Sequence, residues 1–394
     1  MNGLSPRALA WVRSHIQTSQ EYIYLNSGYT GPSPKGVAAA VRAWNRRWYE
    51  KGLTTPMAVE QQEQIAEEAR LRMAGLLGCS PGEVALTDST SHGIGLVAAG
   101  LDWTAGDEVV ANDLEHPSGL LPWFMLRERW GVNAKMVSFP PGTDPLERLA
   151  LALTPRTRLV CISHVMYSTG LLVPVEEVAR LAHEAGALCL VDGAQAAGNL
   201  LLDMAGLGCD FYAIPGQKWL LGPPGTGALY IRRELQDRVW PALIGWNTVE
   251  SFEMDGGFSL RPSARRYEAA TQPYGLLAGL ESALAFTEGL GRDVIYSRIS
   301  GLAAYLRAKL SEIPAVRLAP SGKSGPSALV CFNLAGWEPQ EVVDRLLEGW
   351  RIVCRSIPYP PSIRACPHFF NTEEEIDTLV EALGTLAVES RSAD

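Results

Sequence analysis

The chain has 394 residues, 47% of them apolar and 20% charged, with a net charge of −9. That length holds two domains, or one large domain with a smaller one attached, and the apolar content excludes a disordered chain. The acidic balance argues against nonspecific binding to nucleic acid or to an anionic membrane surface, both of which need a basic face.

No apolar stretch approaches the length of a membrane span, and Met1 to Gln17 lacks the apolar core and small-residue cleavage site of a signal peptide. The seven cysteines are odd in number and widely spread, with no C-x-x-C and no zinc-like spacing. Free thiols in a reducing cytoplasm is the expectation.

In chain order, residues 1–20 read as a short helix with a tail and Tyr22 to Leu25 as a strand. A turn-rich loop from Asn26 to Pro34 follows, and then helices over 36–51 and 57–77, the second stopped by Gly78. From Val84 onward, strands and helices alternate. Strands are expected at 84–87, 108–111, 134–137, 157–163, 187–191, 211–214 and 227–231, and helices at 88–99, 119–130, 145–153 and 175–185. Short apolar runs between amphipathic helices predict an α/β fold, a mostly parallel sheet with helices on both faces. Past Gly245 the texture changes. Residues 251–266 read as a polar connection. Helices are expected at 273–290, 294–313, 339–347 and 372–386, and strands at 316–334, 352–355 and 364–370, which suggests a smaller α+β domain.

The chemistry gathers around one lysine. The six lysines are Lys35, Lys51, Lys135, Lys218, Lys309 and Lys323, and Lys218 alone sits between apolar runs, Ile214-Pro-Gly before it and Trp219-Leu-Leu after it. An amine among apolar groups has its charged form destabilised and becomes a nucleophile or base near neutral pH; on its own, the same lysine could equally snorkel to the surface. Asp192-Gly-Ala-Gln195 ends an apolar strand, which puts a carboxylate at the carboxyl edge of a parallel sheet, unless it only caps a turn. Thr87-Asp-Ser-Thr90-Ser91 sits at a strand-to-helix junction, a phosphate cup or a plain N-cap. His116, just after another strand, could stack on a ring or shuttle protons, and Arg364 is a fork for a carboxylate. Gly222-Pro-Pro-Gly-Thr-Gly227 is followed by Ala228 and Leu229 rather than Lys and Ser/Thr, so it is not a nucleotide P-loop.

Taken together, the hydroxyl cup, the histidine, the strand-end Asp192 with Gln195, and Lys218 resemble the pyridoxal-phosphate enzymes of fold type I, in the class V aminotransferase and cysteine desulfurase group. The likeness runs from Tyr24-Leu-Asn to Phe370-Asn-Thr and beyond, and is strongest over Ala187 to Tyr230. It implies a large domain over residues 20–260 with a seven-stranded, mostly parallel sheet, and a small α+β domain over 261–394 together with 1–19. It also implies that Lys218 attaches covalently to the cofactor aldehyde and then moves the Cα proton. Asp192 pairs with the pyridinium nitrogen, Gln195 bonds the ring hydroxyl, and His116 stacks on the ring. Thr90, Ser91 and Gln217 hold the phosphate. Thr271 reaches the phosphate of a neighbouring subunit, which implies a homodimer with shared sites. Arg364 grips the substrate α-carboxylate, with Arg355 as a second cation, and Ser168, Thr169, Tyr167, Tyr29 and Trp246 are pocket candidates.

The subgroup rests on a missing residue. A cysteine desulfurase needs a mobile nucleophilic cysteine, normally on a loop just after the arginine matched by Arg355. Here that stretch is Arg355-Ser-Ile-Pro-Tyr-Pro-Pro-Ser, without cysteine and stiffened by prolines. It resembles the cysteine and cystine C–S lyases of the group, the ergothioneine-biosynthesis type included. Cys366 falls two residues past Arg364, on the same face of the expected strand. β-Elimination from a small amino acid, releasing pyruvate, ammonia and a sulfur product, is the leading expectation. A persulfide-forming desulfurase, a class V aminotransferase or epimerase, and a non-catalytic binding relative are the alternatives.

Overall fold

The computed structural model describes residues 4–140 and 142–391; the first three residues of the expected N-terminal tail lie outside them. Its centre is a seven-stranded sheet. In spatial order the strands are Val84–Thr87, Gly227–Ile231, Phe211–Pro215, Leu188–Asp192, Thr157–Ser163, Glu108–Asn112 and Asn133–Val137. Only Gly227–Ile231 runs against its neighbours. The other six point the same way, so their carboxyl ends share one edge. The apolar runs are apolar because both faces are covered. In Thr157–Ser163, Val160 and Ile162 enter one core while Leu159 and Cys161 enter the other, the period of two of an extended chain.

The smaller layer is a four-stranded antiparallel sheet of Val316–Leu318, Val330–Leu334, Pro361–Ala365 and Arg355–Pro358. The helices Arg292–Ser311, Pro339–Trp350 and Glu373–Arg391 accompany it. The helix Pro6–His15 touches both layers: Arg13 donates to the Phe370 carbonyl and pairs with Glu375, and Trp11 stacks on Phe286 of the helix Tyr274–Leu290. Helix Tyr274–Leu290 packs along Lys35–Lys51 and Pro56–Leu77, and Glu268 forms a buried ion pair with Arg70 while accepting the Leu86 N–H. On that packing we propose the domain division near Arg292 rather than between 260 and 261.

Three local expectations are corrected. Residues 251–266 are not a plain connection: Val249–Phe252 and Phe258–Leu260 form a hairpin. Its turn is closed by Asp255 Oδ1, which accepts the Gly257 N–H, and by Gly256 at φ +103°. The expected strand over 316–334 is two antiparallel strands with a loop between them. The Arg355-Ser-Ile-Pro stretch is a strand, hairpinned onto Pro361–Ala365, so the last strand starts earlier than expected and ends before Cys366. Cys366 instead donates its N–H to the Leu25 carbonyl, tying the chain to the N-terminal loop.

Candidate active site

Eleven of the fifteen sequence-predicted site residues converge on one cavity of about 280 Å³ at the carboxyl edge of the large sheet. Thr90 and Ser91 follow Val84–Thr87, His116 follows Glu108–Asn112, Asp192 ends its strand, and Gln217 and Lys218 follow Phe211–Pro215. Gln195 lies one turn past Asp192, Tyr29 comes from the N-terminal loop, and Arg355 and Arg364 come from the small sheet. Carboxyl edges of parallel strands are where such sheets bind ligands.

Lys218 is half-buried, and its amine is pushed down to about 8. Burial is the main cause; the Asp192 carboxylate opposes it, and Arg364 and Arg355 add to it. Asp192 is buried, and burial raises its carboxyl while the Lys218 charge and the Ala194 N–H, 2.8 Å from Oδ1, hold it down. An Asp and a Lys that stabilise each other's charges suit a site that holds one proton on a ring nitrogen and moves another at carbon.

Gln195 is fixed at both ends of its amide. Oε1 accepts the Trp219 indole N–H at 2.9 Å and Nε2 donates to the Gly28 carbonyl at 2.7 Å. One hydrogen of the –NH2 group remains to be donated. His116 accepts the Ser118 N–H at Nδ1, 3.2 Å away, which leaves its proton on Nε2. Burial, and then the charges of Lys218, Arg355 and Arg364, draw this imidazole down to about 4, so it is a neutral ring. It meets Tyr167 edge-on at 5.2 Å.

The residues expected to hold a phosphate stand together on the cavity wall. Thr90 opens the helix Thr90–Gly100, whose N-cap Ser89 accepts the His92 N–H. Among the described residues the buried Thr90 Oγ1 and Gln217 Oε1 have no partner, and the Ser91 and Ser118 hydroxyls bond each other at 2.7 Å. An unspent hydroxyl beside the free N–H groups of a helix N-terminus suits a phosphate. Across the cavity, Arg364 is only 2% exposed; Nη1 donates to the Tyr167 carbonyl at 2.8 Å while Nε has no partner. Arg355 lies directly opposite Arg364 in the hairpin register and stacks its guanidinium 3.9 Å from the Tyr29 ring centre.

Four expected residues lie elsewhere, and two of them, Thr169 and Trp246, line other clefts. Ser168 is buried behind the wall, its hydroxyl 3.5 Å from the Leu114 carbonyl and its own carbonyl accepting from Ser362; the neighbouring Tyr167 lines the cavity instead. Thr271 is exposed and outside this chain's cavity. Cys366 is fully buried behind Gly28, where a Cβ on that glycine would stand 2.8 Å from Sγ, and burial raises its thiol. No cysteine lines the cavity among the described residues. The sequence reading passed over Ser118, Ser163 and Trp219. Trp219 read only as an apolar neighbour of the lysine; its indole N–H, which a buried tryptophan must spend on something, was the available signal.

A half-buried lysine with a lowered pKa, a buried aspartate, an amide donor, a neutral imidazole and hydroxyls at a helix N-terminus fit pyridoxal phosphate, and with this sheet they define a fold-type-I pyridoxal-phosphate enzyme. The aminotransferase class-V family model matches residues 23–379. The chain is 33% identical over 395 residues to a probable cysteine desulfurase of Methanothermobacter thermautotrophicus, covering 95% of this chain and 97% of that one. Among solved structures it is similar to a C-DES variant with glycine covalently linked to its PLP cofactor, at TM-score 0.89 and 30% identity over 94% of this chain and 98% of that one. It is similar also to the complex of the cystine C–S lyase C-DES with its reaction product cysteine persulfide, at TM-score 0.88 and 30% identity over 94% and 99%. The chain belongs to the aminotransferase class-V family, in its cysteine desulfurase-like branch.

Proposed function

We propose that this enzyme cleaves a carbon–sulfur bond by β-elimination, with cystine or an S-substituted cysteine as substrate and pyruvate, ammonia and a sulfur compound as products. When bound, pyridoxal phosphate supplies an aldehyde for amine attachment and an electron sink for the pair left at Cα. This chain's residues do the rest. Lys218 would hold the cofactor through its aldehyde, and its amine would move the Cα proton. Asp192 keeps a proton on the ring nitrogen, Gln195 donates to the ring hydroxyl, and the neutral His116 ring covers the face. Thr90, Ser91 and Gln217 hold the phosphate. Arg364 takes the α-carboxylate with its unspent guanidinium edge.

The observation that carries the reading is the cavity wall itself. Where a desulfurase would need a swinging thiol, this chain has a hydrogen-bonded hairpin that presents two guanidinium groups and no cysteine. Arg355, held by Tyr29, suits the distal carboxylate of a substrate such as cystine, which a lone cysteine lacks. Elimination from cystine breaks one Cβ–S bond, releases cysteine persulfide, and leaves a fragment that water converts to pyruvate and ammonia.

The test is to incubate the purified enzyme with cystine, cysteine and S-substituted cysteines. Pyruvate and ammonia in equal amounts are expected, with cystine preferred, and Arg355→Gln raising KM for cystine more than for cysteine. Alanine with protein-bound persulfide would establish the desulfurase reading instead. A colourless protein that takes up no cofactor would sink both.

The same reading includes a homodimer in the cytoplasm. Its support is an apolar surface around Leu243, Ile244, Trp246, Phe252 and Met254, the last 96% exposed. This surface adjoins the segment that ends at Thr271, because Gly245 packs on the Ala269 backbone. A second copy covering that surface would bring Thr271 toward the partner's phosphate cradle. All seven cysteines are free, and no helix of the described residues is long and apolar enough to cross a membrane.

A further inference from the structure

Beneath the cavity lies a carboxyl group that none of these roles uses. Glu115 precedes His116 and is 3% exposed. Its Oε1 accepts the Ser163 backbone N–H at 2.7 Å and a hydrogen from Asn112 Nδ2. The Asn112 amide cannot be the other way round, because its Oδ1 accepts the Leu114 N–H at 2.9 Å. Oε1 therefore has two donors, and Oε2 is left facing the Ser163 hydroxyl, to which it is hydrogen-bonded. Ser163 is the last residue of its strand, stands opposite Asp192 in the sheet register, and lines the cavity.

One hydrogen lies between Oε2 and the Ser163 Oγ, and only two arrangements exist. With an ionised Glu115, the serine must donate its proton downward and shows only lone pairs to the cavity. With a neutral Glu115, the acid donates to Oγ, and the serine O–H is free to donate into the cavity. We propose that Glu115 is a positioning residue whose protonation state sets the direction of the Ser163 hydroxyl at the cavity floor, beside Asp192. The proton is exchanged with solvent, and no other bond changes.

The surroundings put this exchange in the working range. Among the described residues no cation is bonded to Glu115; burial first, and then the Asp192 charge, raise its carboxyl to about 7 against the hydrogen bonds of Ser163 and Asn112. The other titratable groups facing it are neutral. Burial raises the Cys161 thiol on the Ser163 strand and the Tyr167 phenol on the following loop, and His116 carries no charge. Asp113, on the same loop, is occupied by the Ser138 hydroxyl and the Phe139 N–H. Lys218 interacts with Asp192 instead.

The inference rests on the cofactor reading only for its second readout. Infrared difference spectra of the holoenzyme across about pH 6 to 8, the range of a raised carboxyl, are expected to show a protonated-carboxyl band lost on raising the pH. That band should be absent in Glu115→Gln, whose amide mimics the neutral acid. The absorption of the lysine-bound cofactor is expected to shift over the same range in the natural protein, and this step should vanish in both Glu115→Gln and Ser163→Ala. A band that survives Glu115→Gln would overturn the proposal, because the titrating carboxyl would then be Asp192 or another group. Should Glu115→Gln fail to fold, Ser163→Ala decides alone: a persisting absorption step refutes the coupling. The infrared band does not depend on the cofactor, so its loss or survival is separate from any failure of the cofactor reading.

Discussion

Gly31→Ala should damage the enzyme through space alone. Gly31 donates its N–H to the Gln217 carbonyl at 2.7 Å, laying the N-terminal loop on the backbone that carries Lys218. Its φ is not in the left-handed region, so alanine is conformationally allowed there. A Cβ, however, would overlap the Lys218 carbonyl oxygen and stand 2.5 Å from Leu221 Cδ2. Backbone cannot rotate away as a side chain can, so the loop and the lysine segment must part by about 1 Å. Overpacking of this kind costs about 1–3 kcal/mol, and loss of the Gly31–Gln217 bond about 1 kcal/mol more. A catalytic group displaced by about 1 Å can lose roughly 100-fold in rate. Urea unfolding with and without cofactor measures the first effect, and kcat/KM for cystine the second. Gly289→Ala is the control: it lies in the helix Tyr274–Leu290 with nothing within 4 Å of its Cβ, so the same methyl should stabilise, by up to about 1 kcal/mol. If Gly31→Ala unfolds at the same urea concentration as the natural protein and keeps its activity, the loop does not bear on Lys218 and the argument fails.

Two further outcomes are expected. Trp219→Phe keeps a ring stacked on His368, 5.4 Å away, but removes the donor to Gln195 Oε1. It should cost about 1–3 kcal/mol and loosen cofactor retention, and unchanged values on both counts would remove Trp219 from the positioning of Gln195. The buried histidines set the acid limit. Burial draws His368 down to about 3 and His164 to about 4. Both folded values lie below the ordinary histidine range, so their contribution is complete above about pH 6.5 and is lost as pH falls, about 2 kcal/mol for each by pH 5. Glu115 is raised and has the opposite sign, recovering a similar amount over the same fall. Stability measured from pH 7 to 5 should therefore drop more steeply in Glu115→Gln than in the natural protein, and parallel profiles would contradict the raised carboxyl.

The large sheet was legible because each strand is buried on both faces and bounded by helices of clear period. Val84–Thr87, Thr157–Ser163 and Gly227–Ile231 begin and end where the apolar runs do. The site was legible to the extent that it hangs on those strand ends. Asp192, His116, Thr90 and Lys218 each sit within a few residues of one, and the topology that gathers them follows from the parallel order. What could not be read was pairing at a distance. Arg355-Ser-Ile-Pro carries one β-favouring residue, Ile357, and a proline, and reads as a loop until the Pro361–Ala365 partner is laid beside it. Proline is tolerated there because Pro358 and Pro361 face each other at the end of an edge hairpin, where no ladder N–H is needed. Ser168 failed for a simpler reason: one residue in an irregular loop decides which side chain faces the cavity, and no periodicity governs it.

The N-terminal loop shows why the site needs both layers of the molecule. Gly28 gives its carbonyl to Gln195 and leaves room for Cys366 Sγ and Arg364, Tyr29 supports Arg355, and Gly31 bonds the backbone of Gln217. Asn26 and Leu25 meet Cys366 from the other side. One loop thus touches the residue proposed for the ring hydroxyl, the lysine segment and both arginines, and it is anchored in the small layer by the parallel pairing of Ile23–Tyr24 with Ile352–Val353. A side chain at position 28 would have to displace the Cys366 thiol, the Gln195 amide and the Arg364 guanidinium together. The glycines in this turn-rich stretch are therefore set by close approach at the boundary between the layers. That boundary is where a substrate held by Arg364, as proposed, would meet an amine held by the large sheet.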